Sequence, residues 1–475
     1  MPYRILMIAP TSFFSDYGCH VRILEEARTL QAHGQRVQIV TYYKGRSLPD
    51  LEIIRTAPTP WHADYEVGSS RHKIAFDVLL SWTALKTALR FKPHIIHAHL
   101  HEGALIGSAL SWISRAPLVF DFQGSLTGEM IDHHFLNPAG PAHAIVRRLE
   151  RRIDHRPRAI LTSSRTAVAL LRDTFGVDPE RVIPLPDCVD TAFFRPRTEA
   201  DRIELSAIRS YLGVPADREL VVYLGLLAPY QGTDLLIEAA EQVIRQRPNT
   251  HFLIMGYPGM PLYRALAEAR GLSAHTTFVG RVLYEDAPRY LRLGDVAVAP
   301  KLSATEANGK VLNYMATGLP TIAFNTPINR EYLHDYGFYA RPGDAAALAE
   351  QLLYALNTPS ARACAAAGLR ARAQAMFAWE DAARRIVAVY DAVRLRRAGE
   401  RTQALQELGF GRHLESRHLE SRHLESRHPE GRHLEGWHPE GRHLEDRHLE
   451  GRHPEGRHPE GRHLEMPPTR GHDVG

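Results

Sequence analysis

Residues 301–330, KLSATEANGKVLNYMATGLPTIAFNTPINR, gather the groups best suited to chemistry: Lys301, Glu306, Asn308, Gly309, Lys310 and Asn313. The pattern predicts a polar loop, a short helix over about 311–317, a stop at Gly318–Pro320 and a buried strand over 321–324. A lysine in a first helical turn is disfavoured, because that end already carries partial positive charge. Backbone N–H groups and a lysine at one helix start form a natural anion seat. The chain has 58 Lys and Arg residues, only six of them Lys, and beyond residue 92 the only lysines are Lys301 and Lys310. They stand on either side of Glu306. The plainer reading is a capped surface helix with two solvated cations. A second cluster, His97, His99 and His101, alternates as side chains on one face of a strand do. That outwardly resembles a metal site, but three alternating ligands without a carboxylate are rare, and no Asp-x-Asp pair offers a metal seat. The reading is therefore polar residues at a cleft rim, with no metal.

Two runs of alternating strands and helices must position these groups. In residues 1–185, strands are expected at 5–10, 36–43, 51–56, 94–99, 118–122 and 159–163, with helices over about 20–33 and 74–89. The Pro-containing stretch 184–200 reads as a junction. A second alternation over 200–376 places strands at 220–225, 251–256, 276–280, 296–300 and 321–324. The fold class expected is α/β, two Rossmann-like domains facing a central cleft, with a ligand between the carboxyl ends of two parallel sheets. An amphipathic helix over 379–397 is expected to close the first domain. Residues 411–465 are eleven pentapeptides of the type Gly/Ser/Asp-Arg-His-Leu/Pro-Glu, with Trp437 once in place of Arg. At most one apolar residue per unit cannot offset the ordering entropy, so this array is read as disordered.

Composition narrows the class. A hydrophobic fraction of 44% supports real cores, and a formal charge of +4 does not call for nucleic acid. The basic run 147–158, RRLERRIDHRPR, is either a solvated helix face or a contact for an anionic membrane surface. Three Cys without paired spacing argue against a disulfide framework and a zinc site. The chain opens directly on a strand without a signal-peptide pattern, and no apolar run reaches the roughly 18 residues of a spanning helix. The expected setting is cytoplasmic.

Several segments together resemble the retaining, sugar-nucleotide-dependent glycosyltransferases of the GT-B fold, family 4 type, over about residues 3–395. Gly18 resembles the family's glycine loop. VIPLPDCVDTAFFRP (182–196) resembles the junction "IPNGVD…F.P", and YLGLLAPYQGTDLLIEA (223–239) resembles "Y.GRL...KG...L..A". NYMATGLPTIAF (313–324) resembles "E.MA.G.PVV", and FAWEDAARRIVAVYDAV (377–393) resembles the closing helix. The departures are specific. The family's phosphate-facing Arg and Lys are replaced by Leu226 and Gln231, the latter beyond Gly225. The Glu-x7-Glu pair falls on Thr305 and Asn313, with Glu306 one place along. The His after the strand at 118–122 is Gln123, beside Asp121.

The resemblance implies hexose transfer with retention from a nucleoside diphosphate sugar to a glycan or lipid-linked acceptor, with no cofactor. Glu306 and Lys310 are the expected catalytic residues. Gly18, Gly225, Gln231, Lys301, Asn308, Gly309 and Asn313 are expected to bind donor, and His99, Asp121 and Gln123 to face the acceptor. Losing two phosphate cations costs about 1.5–3 kcal/mol each unless they are replaced, and Lys310 and Lys301 are placed to replace them. Two other readings stay open: a non-catalytic relative that binds a sugar nucleotide or glycan, and a nucleotide-sugar epimerase.

Overall fold

The computed structural model describes residues 2–15, 18–58, 73–132, 135–302 and 307–408. Among them two parallel sheets form. The first contains β1 (Arg4–Ala9), β2 (Arg36–Thr41), β3 (Glu52–Arg55), β4 (Ile95–His99), β5 (Leu118–Phe122), β6 (Ala159–Thr162) and β7 (Val182–Pro184), in the order β3-β2-β1-β4-β5-β6-β7. The second contains β8 (Glu219–Leu224), β9 (Thr250–Met255), β10 (Thr276–Gly280), β11 (Val296–Ala299), β12 (Thr321–Phe324) and β13 (Phe338–Ala340), in the order β10-β9-β8-β11-β12-β13. Strand order reverses between β1 and β4 and again between β8 and β11. Such switch points open a crevice beyond the carboxyl ends of the strands, where these folds bind ligands.

The strands read from the sequence form within a residue or two. β7 and β13 do not follow from it: each has three residues, and β7 lies inside the stretch read as junction. β7 ends on Pro184 at the sheet edge, where a missing N–H donor leaves no ladder bond unmade.

In the first sheet, α1 (Gly18–Ala32) covers one face and α2 (Lys73–Phe91), α3 (Leu100–Ser114) and α5 (Pro141–Asp154) the other, with α4 (Leu126–Asp132) between α3 and α5 in the chain. α1 buries Ile23, Leu24, Ala27 and Leu30 at successive helical turns. The helix Trp379–Arg394 returns from the end of the second sheet and packs on α1 with Ile386, Val389 and Val393. Burying side chains of this size stabilises by about 1.5–3 kcal/mol each, which holds the returning helix on the first sheet. It ends three residues before the expected Arg397. The repeats at 411–465 lie outside the described residues.

One expectation about β4 fails. Leu100 takes φ +58°, which ends the strand, so His101 turns into α3 and leaves the face shared by His97 and His99. It packs instead edge-on against the rings of Phe120 and Phe122, at 5.2 and 5.3 Å.

Candidate active site

The helix Gly309–Thr317 follows β11 and points its N-terminus into a cleft of about 310 Å³ lined from both sheets. It starts two residues earlier than the sequence pattern suggested, so Lys310 lies inside its first turn. The lysine does not extend into solvent. Its Nζ donates to Gln231 Oε1 at 2.8 Å and lies 4.6 Å from the Tyr223 ring centroid, a cation–π distance. A Cβ on Gly225 would come within 2.6 Å of that Nζ, so glycine leaves the lane along which the lysine runs. Gln231 is held in turn by Gly232, at φ +72°, where a Cβ would fall 2.0 Å from Pro300 O. Lys310 therefore brings its charge to the loop that carries Leu226 and Gln231.

Lys301 is buried and donates from Nζ to Ala307 O at 2.8 Å. Asn308 is also buried. Its Nδ2 donates to Asn329 Oδ1 at 2.9 Å, and Asn329 Nδ2 donates to Phe324 O at 2.8 Å. Asn308 thus anchors the helix start to the end of β12, and makes no side-chain cap there. Gly309 passes close to Asp187, whose Oδ2 would lie 3.6 Å from a Cβ at that position. Asn313 is half-buried and lines the cleft one turn beyond Lys310. Gly18 opens α1 across the cleft, and among the described residues nothing lies within 4 Å of where its Cβ would be. Glu306 lies outside the described residues.

The acceptor-side expectations need correction. His99 and Asp121 are fully buried and do not line the cleft; of the three residues expected there, only Gln123 does. His97 is equally buried, not at a rim. These residues belong to a charged layer centred on Arg22, which with Asp187 itself lines the cleft while His97, His99, Asp121 and Glu26 lie behind it. The Arg22 guanidinium donates to Asp121 at 2.7–3.0 Å, to Asp187 Oδ1 at 2.7 Å and to Leu185 O at 3.2 Å, and it lies 3.1 Å from Glu26. Gln123 Nε2 donates to Asp121 Oδ2 at 2.7 Å, which links the cleft surface to the layer. His99 Nδ1 lies 3.1 Å from the same oxygen, and its ring stacks on His97 at 4.7 Å. His97 Nδ1 meets the Tyr390 hydroxyl at 2.6 Å, so the returning helix is tied to the layer. Burial pushes the Asp121 carboxyl up, but Arg22 and His99 outweigh it and hold its pKa well below the usual range. Burial, reinforced by Asp121, pushes Glu26 well above its usual pKa. Burial likewise drives His97 down, so it stays neutral.

Carboxylates do therefore accompany the histidines, contrary to the reading that lacked them. Glu26 and Asp121 meet His97 and His99; Glu150 and Asp154 meet His101. In the first group the cation among the carboxylates is Arg22. In the second, Glu150 accepts from Leu126 N and Thr127 N, both at 2.9 Å, and so caps α4.

Residues 206–373 match the family described as glycosyl transferases group 1, and residues 17–188 match the glycosyl transferase 4-like domain. The chain is a glycosyltransferase. A D-inositol 3-phosphate glycosyltransferase of Jonesia denitrificans is 25% identical over 397 residues, covering 80% of this chain and 92% of that protein. The protein of the same name from Mycobacterium tuberculosis is 26% identical over 433 residues, covering 83% and 84%. Among solved structures, sucrose-phosphate synthase of Thermosynechococcus elongatus superposes with a TM-score of 0.68 at 20% identity, covering 82% of this chain and 98% of that one. Anabaena HepE in complex with UDP-glucose gives 0.65 at 18% identity, covering 82% and 100%. These likenesses establish the GT-B fold.

In this glycosyltransferase, sequence reading missed Arg22, Glu26, Asp187 and Tyr390. The first two stand at i and i+4 on α1, an ordinary surface-pair spacing, and nothing local marks them as buried. Their role depends on partners from β5, the junction and the returning helix.

Two consequences can be measured. Arg22→Met leaves Asp121 and Asp187 without their buried cation, and breaking such a pair costs about 3–5 kcal/mol. Urea unfolding should register that loss; a change below about 1 kcal/mol would show that the layer does not depend on Arg22. Glu25, on the same helix, is pushed up to about 7 by burial, against the pull of Arg28. Unfolded, it titrates near about 4.3. Between these values the folded state holds a proton that the unfolded state has lost. Its contribution is fully present below the lower value and is lost as pH rises through the upper one. Melting temperature should therefore fall more steeply from pH 5 to 8 in wild type than in Glu25→Gln. Parallel profiles would contradict this assignment.

Proposed function

We propose that this glycosyltransferase transfers a hexose from a nucleoside diphosphate sugar, with retention, to a hydroxyl of a glycan or lipid-linked acceptor, in the cytoplasm. The observation that carries the reading is Lys310 Nζ at 2.8 Å from Gln231 Oε1, along Gly225. It supports a donor site in which one lysine from the neighbouring helix replaces the cations absent at Leu226 and Gln231. The diphosphate would sit between the N-terminus of Gly309–Thr317, Lys310 and the open space before Gly18. Lys301 and the buried Asn308 hold the loop and helix start in place. Asn313 would meet the ribose and Glu306 the donor-sugar hydroxyls. Gln123, positioned by Asp121, would face the transferred sugar or acceptor, with Asp121 and His99 acting beneath it.

As the glycosidic bond breaks, negative charge builds on the leaving diphosphate. A preorganised lysine and helix N-terminus stabilise that charge more than the ground state, which lowers the barrier. Retention follows if acceptor attack and leaving-group departure share one face of the sugar, with a donor phosphate oxygen taking the acceptor proton. The rest is positioning between two walls. The proposed route uses the sugar nucleotide as substrate and calls on no separate cofactor. UDP-glucose in the HepE structure supports this donor class, and the names of the relatives favour transfer over epimerisation or binding alone.

Lys310→Ala should weaken nucleoside diphosphate binding by roughly 10- to 150-fold, the worth of a charge-assisted contact, while nucleoside binding changes little. Turnover should fall at least as far. Glu306→Gln should spare diphosphate affinity and reduce transfer. Calorimetry with diphosphate and nucleoside, beside a transfer assay, measures all three. Undiminished diphosphate binding by Lys310→Ala would sink the rearranged phosphate site. Binding of sugar nucleotides without transfer or donor hydrolysis across a donor panel would favour the non-catalytic reading.

A further inference from the structure

α2, α3 and α5 pack side by side on the face of the first sheet opposite α1. Each leads from the carboxyl end of one strand to the amino end of the next. The three therefore run parallel and start at the cleft end of the sheet. Exposed apolar side chains recur on all three: Val78, Trp82, Trp112, Ile113, Ile145 and Leu149, with Trp112 at 86% and Ile145 at 71%. Single exposed apolar residues are ordinary, but a band shared by three adjacent helices marks an interaction face.

α5 is the sharpest part of it. A surface helix normally buries its apolar stripe and shows its charges. Here the buried residues are Glu150, Ile153 and Asp154, whereas Ile145 and Leu149 point outward among Arg147, Arg148, Arg151 and Arg152, all exposed. Charge is one-sided across the whole face. Lys86, Arg90 and the four arginines of α5 are exposed. The acids of these helices are withdrawn: Glu150 and Asp154 are buried, Glu102 is half-buried, and half-buried Asp77 accepts from the Tyr42 hydroxyl. Lys86 lies over the Trp82 ring at 4.8 Å, a cation beside an interfacial aromatic. Arginines flanking exposed aliphatic and indole side chains on an in-plane helix are what a membrane–water interface selects. A second copy of so basic a face would meet like charge.

We propose that the α2–α3–α5 face docks on an anionic lipid bilayer, with Ile145, Leu149 and Trp112 entering the headgroup region and the α5 arginines pairing with lipid phosphates. α4, which carries the cleft residue Glu129, precedes α5 in the chain, so the cleft and the start of the docked face lie near each other in sequence. This deepens the lipid-linked acceptor reading given above. Among the described residues no helix is long and apolar enough to cross a membrane, so the contact is peripheral.

The test is flotation of the full chain with phosphatidylglycerol-containing vesicles and with phosphatidylcholine vesicles, across a salt series and without sugar donor. Binding should require the anionic lipid and decline with salt. Each basic residue near an anionic surface is worth about five-fold in partitioning. Arg147→Gln/Arg148→Gln/Arg151→Gln/Arg152→Gln should thus lose at least roughly 100-fold, and Ile145→Ser/Trp112→Ser should also release the protein. Both variants should keep wild-type melting temperature and nucleoside diphosphate affinity, so failure here is separable from failure of the transferase reading. Absence of binding to anionic vesicles at low salt would overturn the proposal. So would binding that both variants retain, or a dimer in solution that the Trp112→Ser change dissolves.

Discussion

Arg22 holds together parts of the chain that have no sequence proximity. It reaches Asp121 at a separation of 99 residues and Asp187 at 165. The first lies at the end of a central strand and the second in the junction between the sheets. One guanidinium thus fixes α1, β5 and the junction against each other at the wall of the cleft, which Arg22 and Asp187 line. A buried cation among several carboxylates is stable only if its hydrogen bonds are satisfied and excess negative charge is neutralised. Both conditions are met: the donors are taken up by carboxylates and a backbone carbonyl, and burial favours the protonated form of Glu26. Gln123 at the cleft surface inherits its position from this layer through Asp121.

Across the cleft the determining contact is the one between Lys310 and Gln231. Replacing the Arg and Lys of the glycine loops by Leu226 and Gln231 would strip charge from a diphosphate site. In the proposed donor site the charge comes back from a different element, through Lys310, whose route Gly225 keeps open. A site rebuilt this way preserves the location of the charge while altering which backbone carries it. In that proposal the helix N-terminus would act alongside the lysine, since Lys310 belongs to its first turn.

The two-sheet architecture was readable because its strands are long apolar runs, punctuated by glycine and proline, with helical periodicity between them. β7 and β13 were not: three residues carry too little pattern, and Pro184 reads as a breaker unless the edge position is known. The odd placement of Lys310 was visible in the sequence, because lysine is so rare in this chain; its contact with Gln231 was not. The histidines misled for a local reason. Alternation implies a shared face only while a strand continues, and Leu100 ends it. Arg22 was invisible because its partners are distant in sequence, and α1 alone gives no cue that Arg22 and Glu26 face inward. Glu306 lies outside the described residues, so its role rests on spacing alone.

The most direct measurement is relocation of the charge. Calorimetric titration of nucleoside diphosphate into Lys310→Ala and Lys310→Ala/Gln231→Lys compares a site that has lost its cation with one that regains it from the glycine loop. If Lys310 supplies the phosphate-facing charge, the second variant recovers at least about ten-fold of the affinity lost by the first, the worth of one charged contact. Equal affinities in the two variants, both close to wild type, would contradict the account.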